Sequence, residues 1–255
     1  MSRKKQSEKQ RERERYQQKI RPFVEELAVV TADLKECSTS DPDAGPLIAT
    51  FTHDHYSVRI TTGFGETITV FAMPSGSAWE AYKRDTRYRT LNGYDHLVIL
   101  ANRANGMSFA AYARQQLRKK LREKQRGWIA ELVAYRGAKR AMRLTPEIVD
   151  VSRATPFEDM KLRRDLTLLV DVGCRDGFGQ VRIEEMHYDI KASRRAIVHT
   201  LEKHEKAKGV RFYVVPREAF DPKTRALAVE MVADRFTTHA YDLIDEWQAR
   251  PRRSA

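Results

Sequence analysis

The sequence predicts an α/β protein, and three observations carry that expectation. Residues 108–249 alternate helical and strand patterns in the order helix, β-hairpin, helix, strand, helix. Ahead of them, a helix and several short β-rich segments form a smaller α+β unit over 23–105. No apolar run approaches the roughly 18 residues that a membrane helix needs, and the longest, 97–101 and 166–170, are strand-sized. The expected organisation is a basic flexible tail at 1–22, the α+β unit at 23–105 and an α/β domain at 106–255.

The tail, 2–20, is nearly all Lys, Arg, Glu and Gln; it is compatible with a helix but has no apolar face, so alone it should fray. Val24, Leu27, Ala28 and Leu34 recur at helical spacing after Pro22 and predict a helix over 21–35. A Ser/Asp/Pro/Gly-rich loop follows at 38–45. Strands are expected at 47–52, 56–62 and 66–72, the last two joined as a hairpin across Gly63-Phe64-Gly65, with a helix start at 79–83 and another strand at 96–101. A helix over 108–126 presents Phe109, Tyr112 and Leu117. Gly127 is expected to interrupt it before a second helix at 128–142 on Ile129, Leu132, Val133 and Ala141. Residues 152–159, with Pro156, read as a loop. Strands at 166–172 and 180–191 flank Asp176-Gly177, a hairpin turn signal. A helix at 194–206, a strand at 210–215 and a closing helix at 226–249 complete the chain.

Charge narrows the function classes. The chain carries a formal net charge of +12, and the surplus is local. Residues 1–23 hold nine Lys/Arg against three Glu, residues 103–143 hold twelve against two, and the remainder is net acidic. Concentrated positive charge suits a polyanion partner, nucleic acid above all. Arg114, Arg118, Lys119, Lys120, Arg122, Lys124 and Arg126 nearly encircle the second half of the 108–126 helix, with Lys139 and Arg140 further on; these are the expected phosphate contacts. Two cysteines, Cys37 and Cys174, are too few for a disulfide scaffold or a four-ligand zinc site. With no apolar h-region near the start, a soluble protein of a reducing cytoplasm, away from membranes, is expected.

The stretch that suggests chemistry is Met186-His187-Tyr188-Asp189-Ile190-Lys191. Residues i and i+2 of a strand share a face, so Asp189 and Lys191 point the same way. A carboxylate beside an ammonium late in a strand suits metal-dependent phosphodiester hydrolysis: the carboxylate offers oxygen to Mg²⁺ or Mn²⁺, and the Lys orients water or offsets charge on the phosphate. Asp-x-Lys occurs four times, but Asp33/Lys35 lies in a predicted helix and Asp159/Lys161 and Asp221/Lys223 in loops; only Asp189/Lys191 lies in a strand. Hairpin arithmetic with a turn near Asp176 puts Asp165 opposite 187–189 and sets Asp171 too far along to share an ion. Glu131 is the sole acid between Glu123 and Glu147 and is a candidate third ligand from the preceding helix. Each residue also has a structural reading: Asp189 and Lys191 as a polar strand face, Glu131 as a helix acid paired with Lys124 or Arg136, His187 as a strand histidine, Tyr112, Trp128 and Tyr135 as core. His53-Asp54-His55 has ligand-like spacing but lacks further partners.

This arrangement resembles the PD-(D/E)XK nuclease superfamily, whose restriction-endonuclease-like fold is a mixed central sheet flanked by helices. The resemblance implies that Glu131 takes the helix-acid role, Asp165 that of the second-strand Asp, Asp189 that of the metal ligand in the third strand and Lys191 that of the lysine. It implies Mg²⁺ or Mn²⁺ held by Asp165, Asp189 and Glu131, a DNA substrate and a homodimer where two strands are cut. The likeness covers about residues 106–220. It departs from the pattern in having no proline before Asp165 and a long hairpin between the two Asp residues. The alternative expectation, which needs no active site, is a non-catalytic basic nucleic-acid-binding protein serving replication, packaging or mobilisation.

Overall fold

Good helix formers carry the first helix, α1 (Arg3–Glu36), and among the side chains described Ile20 is the first to be fully buried. The expected frayed tail is therefore helical from Arg3, and the helix passes through Pro22 instead of starting there. Ile20, fully buried ahead of the proline, anchors the turn whose hydrogen bond Pro22 cannot complete. From Ile20 the buried positions run Ile20, Val24, Leu27, Thr31 and Leu34, a helical stripe. The Thr31 hydroxyl donates to the Leu27 carbonyl and so enters the core satisfied. The computed structural model describes residues 3–74, 96–103, 106–155, 162, 164–175, 180–195, 197 and 209–249. It is a mixed α/β protein whose contacts form two compact units, Met1–Gln125 and Arg126–Ala255.

In the first unit, a two-stranded piece, β1 (Ser40–Asp41) and β2 (Gly45–Pro46), precedes a four-stranded sheet. That sheet comprises β3 (Thr50–His53), β4 (Ser57–Thr61), β5 (Thr67–Met73) and β6 (His96–Leu100), in that order. The first three pair antiparallel and β6 joins β5 in parallel. The expected hairpin at Gly63-Phe64-Gly65 is present, with Gly65 at φ +87°, a conformation that favours glycine. α1 packs on this sheet, and Val58, Ile60, Ile68, Val70, Phe71 and Met73 supply its side of the core. The helix start expected at 79–83 lies outside the described residues.

Helix α2 (Phe109–Leu144) is continuous, so Gly127 does not divide it as the sequence suggested. A single glycine costs a helix about 1 kcal/mol, whereas each half of α2 buries a full stripe: Phe109, Ala113, Leu117 and Leu121 before it, Ile129, Val133, Ala134 and Ala138 after it. At about 1.5–3 kcal/mol per large buried side chain, burial wins. The compact division falls inside α2, after Gln125, because its first half belongs to the first unit's core.

The second unit holds a four-stranded sheet in the order β10-β9-β8-β7. β7 (Ile148–Arg153) and β8 (Leu166–Arg175) are antiparallel, as are β8 and β9 (Val181–Lys191), while β10 (Val210–Val214) runs parallel to β9. β7 has no counterpart in the sequence reading: an irregularity between Ile148 and Asp150 breaks its two-residue period and leaves Val149 exposed. The closing helix α3 (Arg225–Gln248) lays Ala228, Val232, Phe236, Ala240 and Leu243 toward the core and packs against β8. It approaches α2 closely, for a Cβ built on Gly137 would meet Val232 at 2.5 Å. The expected turn at Asp176-Gly177 and most of the expected helix at 194–206 lie outside the described residues; Arg194, Arg195 and Ile197 are helical. No helix among the described residues is long and apolar enough to cross a membrane.

Candidate active site

The β8–β9 hairpin brings the acids together. Leu166 pairs with Tyr188, so one residue earlier Asp165 stands across from Asp189. The Asp165 N–H donates to the Tyr188 carbonyl at 2.8 Å, and its side-chain Oδ2 accepts the Ile190 N–H at 2.6 Å. From the other side, the Ala154 N–H donates to the Asp165 carbonyl at 3.1 Å. Asp165 is thus gripped by both neighbouring strands. Asp171 pairs with Ile183, six residues from Asp189 and about 20 Å away at about 3.3 Å per residue. Its carboxylate accepts the Gly173 N–H, a local role beside the irregularity that starts at Asp171.

Asp189 is 2% exposed. One of its oxygens meets the Lys191 ammonium, two residues on along the same strand face. Its other oxygen, Oδ2, is buried with no hydrogen-bond partner among the described residues. A buried carboxylate oxygen with nothing to accept is costly. The Asp165 carboxyl is raised from 3.8 to about 8, first by burial, then by the negative charge of Glu131, with Asp189 adding to it. The Ile190 N–H and the Lys191 ammonium oppose the rise. Glu131, Asp189 and Lys191 are therefore each in electrostatic reach of Asp165.

Glu131 and Asp165, with Tyr135, Arg153, Leu166 and Ile190, line a cavity of about 190 Å³. Asp189 and Lys191 are not among its lining residues; they reach Asp165 from β9. Tyr135 and Arg153 were missed as site residues, Arg153 because β7 itself was not recognised and Tyr135 because an aromatic on a helix reads as core. His187 is pinned by Thr167 (Nδ1 to Oγ1, 3.0 Å) and Glu185 (Nε2 to Oε2, 3.1 Å).

Among the described residues no three His, Cys, Asp or Glu side chains already stand as a metal cluster. Mg²⁺ needs fewer, since it is commonly held by one or two carboxylates with water and substrate phosphate completing the shell. The Asp189 Oδ2, unpartnered among the described residues, and the Asp165 carboxyl, kept protonated by burial and then by its neighbours' negative charge, both fit a divalent cation, with Asp165 and Asp189 as ligands and Glu131 beside them.

The nine expected phosphate contacts divide. Arg114 pairs with Asp33, Arg140 with Glu230, Lys124 with Glu66 at 3.1 Å and Lys139 with Asp150 at 3.7 Å. Arg126 lies over the Phe220 ring at 4.3 Å, and Lys120 is half-buried. Arg118, Lys119 and Arg122 are exposed. The His53-Asp54-His55 spacing resolves into a turn in which Asp54 Oδ1 accepts the N–H groups of Tyr56 and Ser57.

Comparison with protein-family models, curated proteins and solved structures returned no match.

Proposed function

We propose that the chain is a metal-dependent nuclease that hydrolyses phosphodiester bonds of DNA, with Asp165, Asp189 and Lys191 as its reacting group and Glu131 as a supporting acid. The observation that carries this reading is the strand register that sets Asp165 across from Asp189 with Lys191 on Asp189. The order of the second unit (helix, three antiparallel strands, then a strand parallel to the third) agrees with the PD-(D/E)XK resemblance. Three acids and one lysine from a helix and two strands are also more than a polar strand face requires.

A bound Mg²⁺ or Mn²⁺ supplies Lewis-acid polarisation and a water of lowered pKa. The protein's own part follows from the geometry. Asp165 is a neutral acid at rest and gives up its proton when positive charge arrives, because burial and the charge of its neighbours are what retain that proton. Lys191 leaves Asp189 to meet charge developing on the phosphate, within a site already half withdrawn from water. Exposed Arg118, Lys119 and Arg122 on α2 add sequence-independent phosphate contacts.

Incubating the protein with supercoiled plasmid, linear duplex and single strands in Mg²⁺, Mn²⁺ or EDTA tests the reading. Cutting in Mg²⁺ or Mn²⁺ and none in EDTA is expected. Salt-sensitive retention of DNA without cutting in any metal would instead identify a basic nucleic-acid-binding protein.

A further inference from the structure

Arg153 ends β7 with its guanidinium 4.6 Å from the centre of the Tyr135 ring. Its backbone stands beside the acids, since Arg153 pairs with Leu166 and the next amide donates to the Asp165 carbonyl. Arg153 and Tyr135 line the same cavity as Glu131 and Asp165. Among the described residues, however, Arg153 forms no ion pair with either acid and rests on the Tyr135 ring. Held on an aromatic face, a guanidinium keeps its in-plane N–H donors uncommitted. That fork matches two oxygens of a phosphate and is pre-oriented by the ring.

The wall continues as a basic one. Tyr135 also borders a cleft of about 380 Å³ lined by Arg136, Lys139, Arg140, Arg143 and Val229, and Lys139 Nζ lies 5.8 Å from the same ring. Tyr135 therefore lines both an acid-lined cavity and a base-lined cleft, with Arg153 and Lys139 near its ring.

We propose that Arg153 takes the non-bridging oxygens of a polynucleotide phosphate entering the acidic cavity, with Tyr135 as the positioning residue that holds the guanidinium and the basic cleft receiving the neighbouring phosphate. That the phosphate is the one cleaved rests on the nuclease reading; that it binds here does not.

Two readouts keep these apart: anisotropy of a short labelled single-stranded oligonucleotide in EDTA at several salt concentrations, and cleavage in Mg²⁺. Arg153→Ala should weaken oligonucleotide binding about 5–10-fold, on the order of one charge-assisted contact, and lower the salt slope by about 0.7. It should cut kcat/KM by about 100-fold or more, as loss of a positioned transition-state donor does. Arg153→Lys should restore the salt slope but not the rate, because a point charge lacks the fork. Tyr135→Phe should behave as wild type and Tyr135→Leu should share the Arg153→Ala defect. Wild-type affinity and salt slope in Arg153→Ala would overturn the proposal, even if metal-dependent cutting is observed. Weakened binding in Arg153→Ala by a protein that never cuts would uphold the phosphate site and remove the nuclease reading.

Discussion

A carboxyl raised to about 8 leaves Asp165 largely protonated at neutral pH, and stability then depends on pH in a definite direction. Between about 4 and 8 the folded protein holds a proton there that the unfolded chain has released, so this group's contribution falls as pH rises. His239 acts the other way at lower pH. Its ring is lowered to about 4, by burial first and then by Arg235 and Arg211, so stability is lost as pH falls from about 6.5 through 4. The Asp165 effect is therefore cleanest between pH 6.5 and 8. There, wild type should lose melting temperature relative to Asp165→Asn, and parallel curves for the two proteins would remove the raised carboxyl. At this scale the sequence was readable where a hairpin links residues. Turn arithmetic found Asp165: the register sets it across from Asp189, within the 187–189 stretch expected. It could not find Arg153, whose placement depends on pairing between segments with no tight turn to relate them.

At the scale of elements, two glycines of α2 separate what local propensity can state from what packing adds. A Cβ on Gly127 meets nothing within 4 Å, whereas one on Gly137 meets Val232 at 2.5 Å and the Val229 carbonyl at 3.1 Å. Gly127→Ala should stabilise the protein by about 0.5–1 kcal/mol through helix propensity. Gly137→Ala should destabilise it by about 1–2 kcal/mol, overpacking of about 1–3 kcal/mol being partly offset by the same propensity. Denaturant melts of the two variants check both signs. From the sequence alone the two glycines look alike, and the one read as a helix break is the one that meets nothing. Strand β7 was hidden for a related reason: its irregular pairing spoils the alternation by which a strand announces itself. The long strands were found nearly to their ends, β8 by its apolar and β-branched run and β9 by β-favouring residues spaced along it.

For the whole molecule, the +12 charge stated the class of partner but not which cations are available to it. Ion pairs made with distant acids, such as Arg114 with Asp33 and Arg140 with Glu230, withdraw part of the expected patch. Replacing Arg118, Lys119 and Arg122 together by Ala should reduce the salt slope of duplex DNA binding by about 2–3, at about 0.9 per phosphate contact. Arg140→Ala should change it less, since that guanidinium is already engaged. Affinities measured between about 50 and 200 mM salt decide this, and an unchanged slope in the triple variant would place the binding surface elsewhere.

On the proposed reading, the Asp165/Asp189/Lys191 group performs chemistry and is more than a polar strand face. Comparing Lys191→Ala with wild type, for plasmid cleavage in Mg²⁺ and for DNA affinity in EDTA, tests it most directly. Cleavage by Lys191→Ala should fall at least about 100-fold, the scale of one lost electrostatic stabiliser, while DNA affinity, set by the exposed cations of α2, stays near that of wild type. Cleavage by Lys191→Ala at the wild-type rate would contradict that reading.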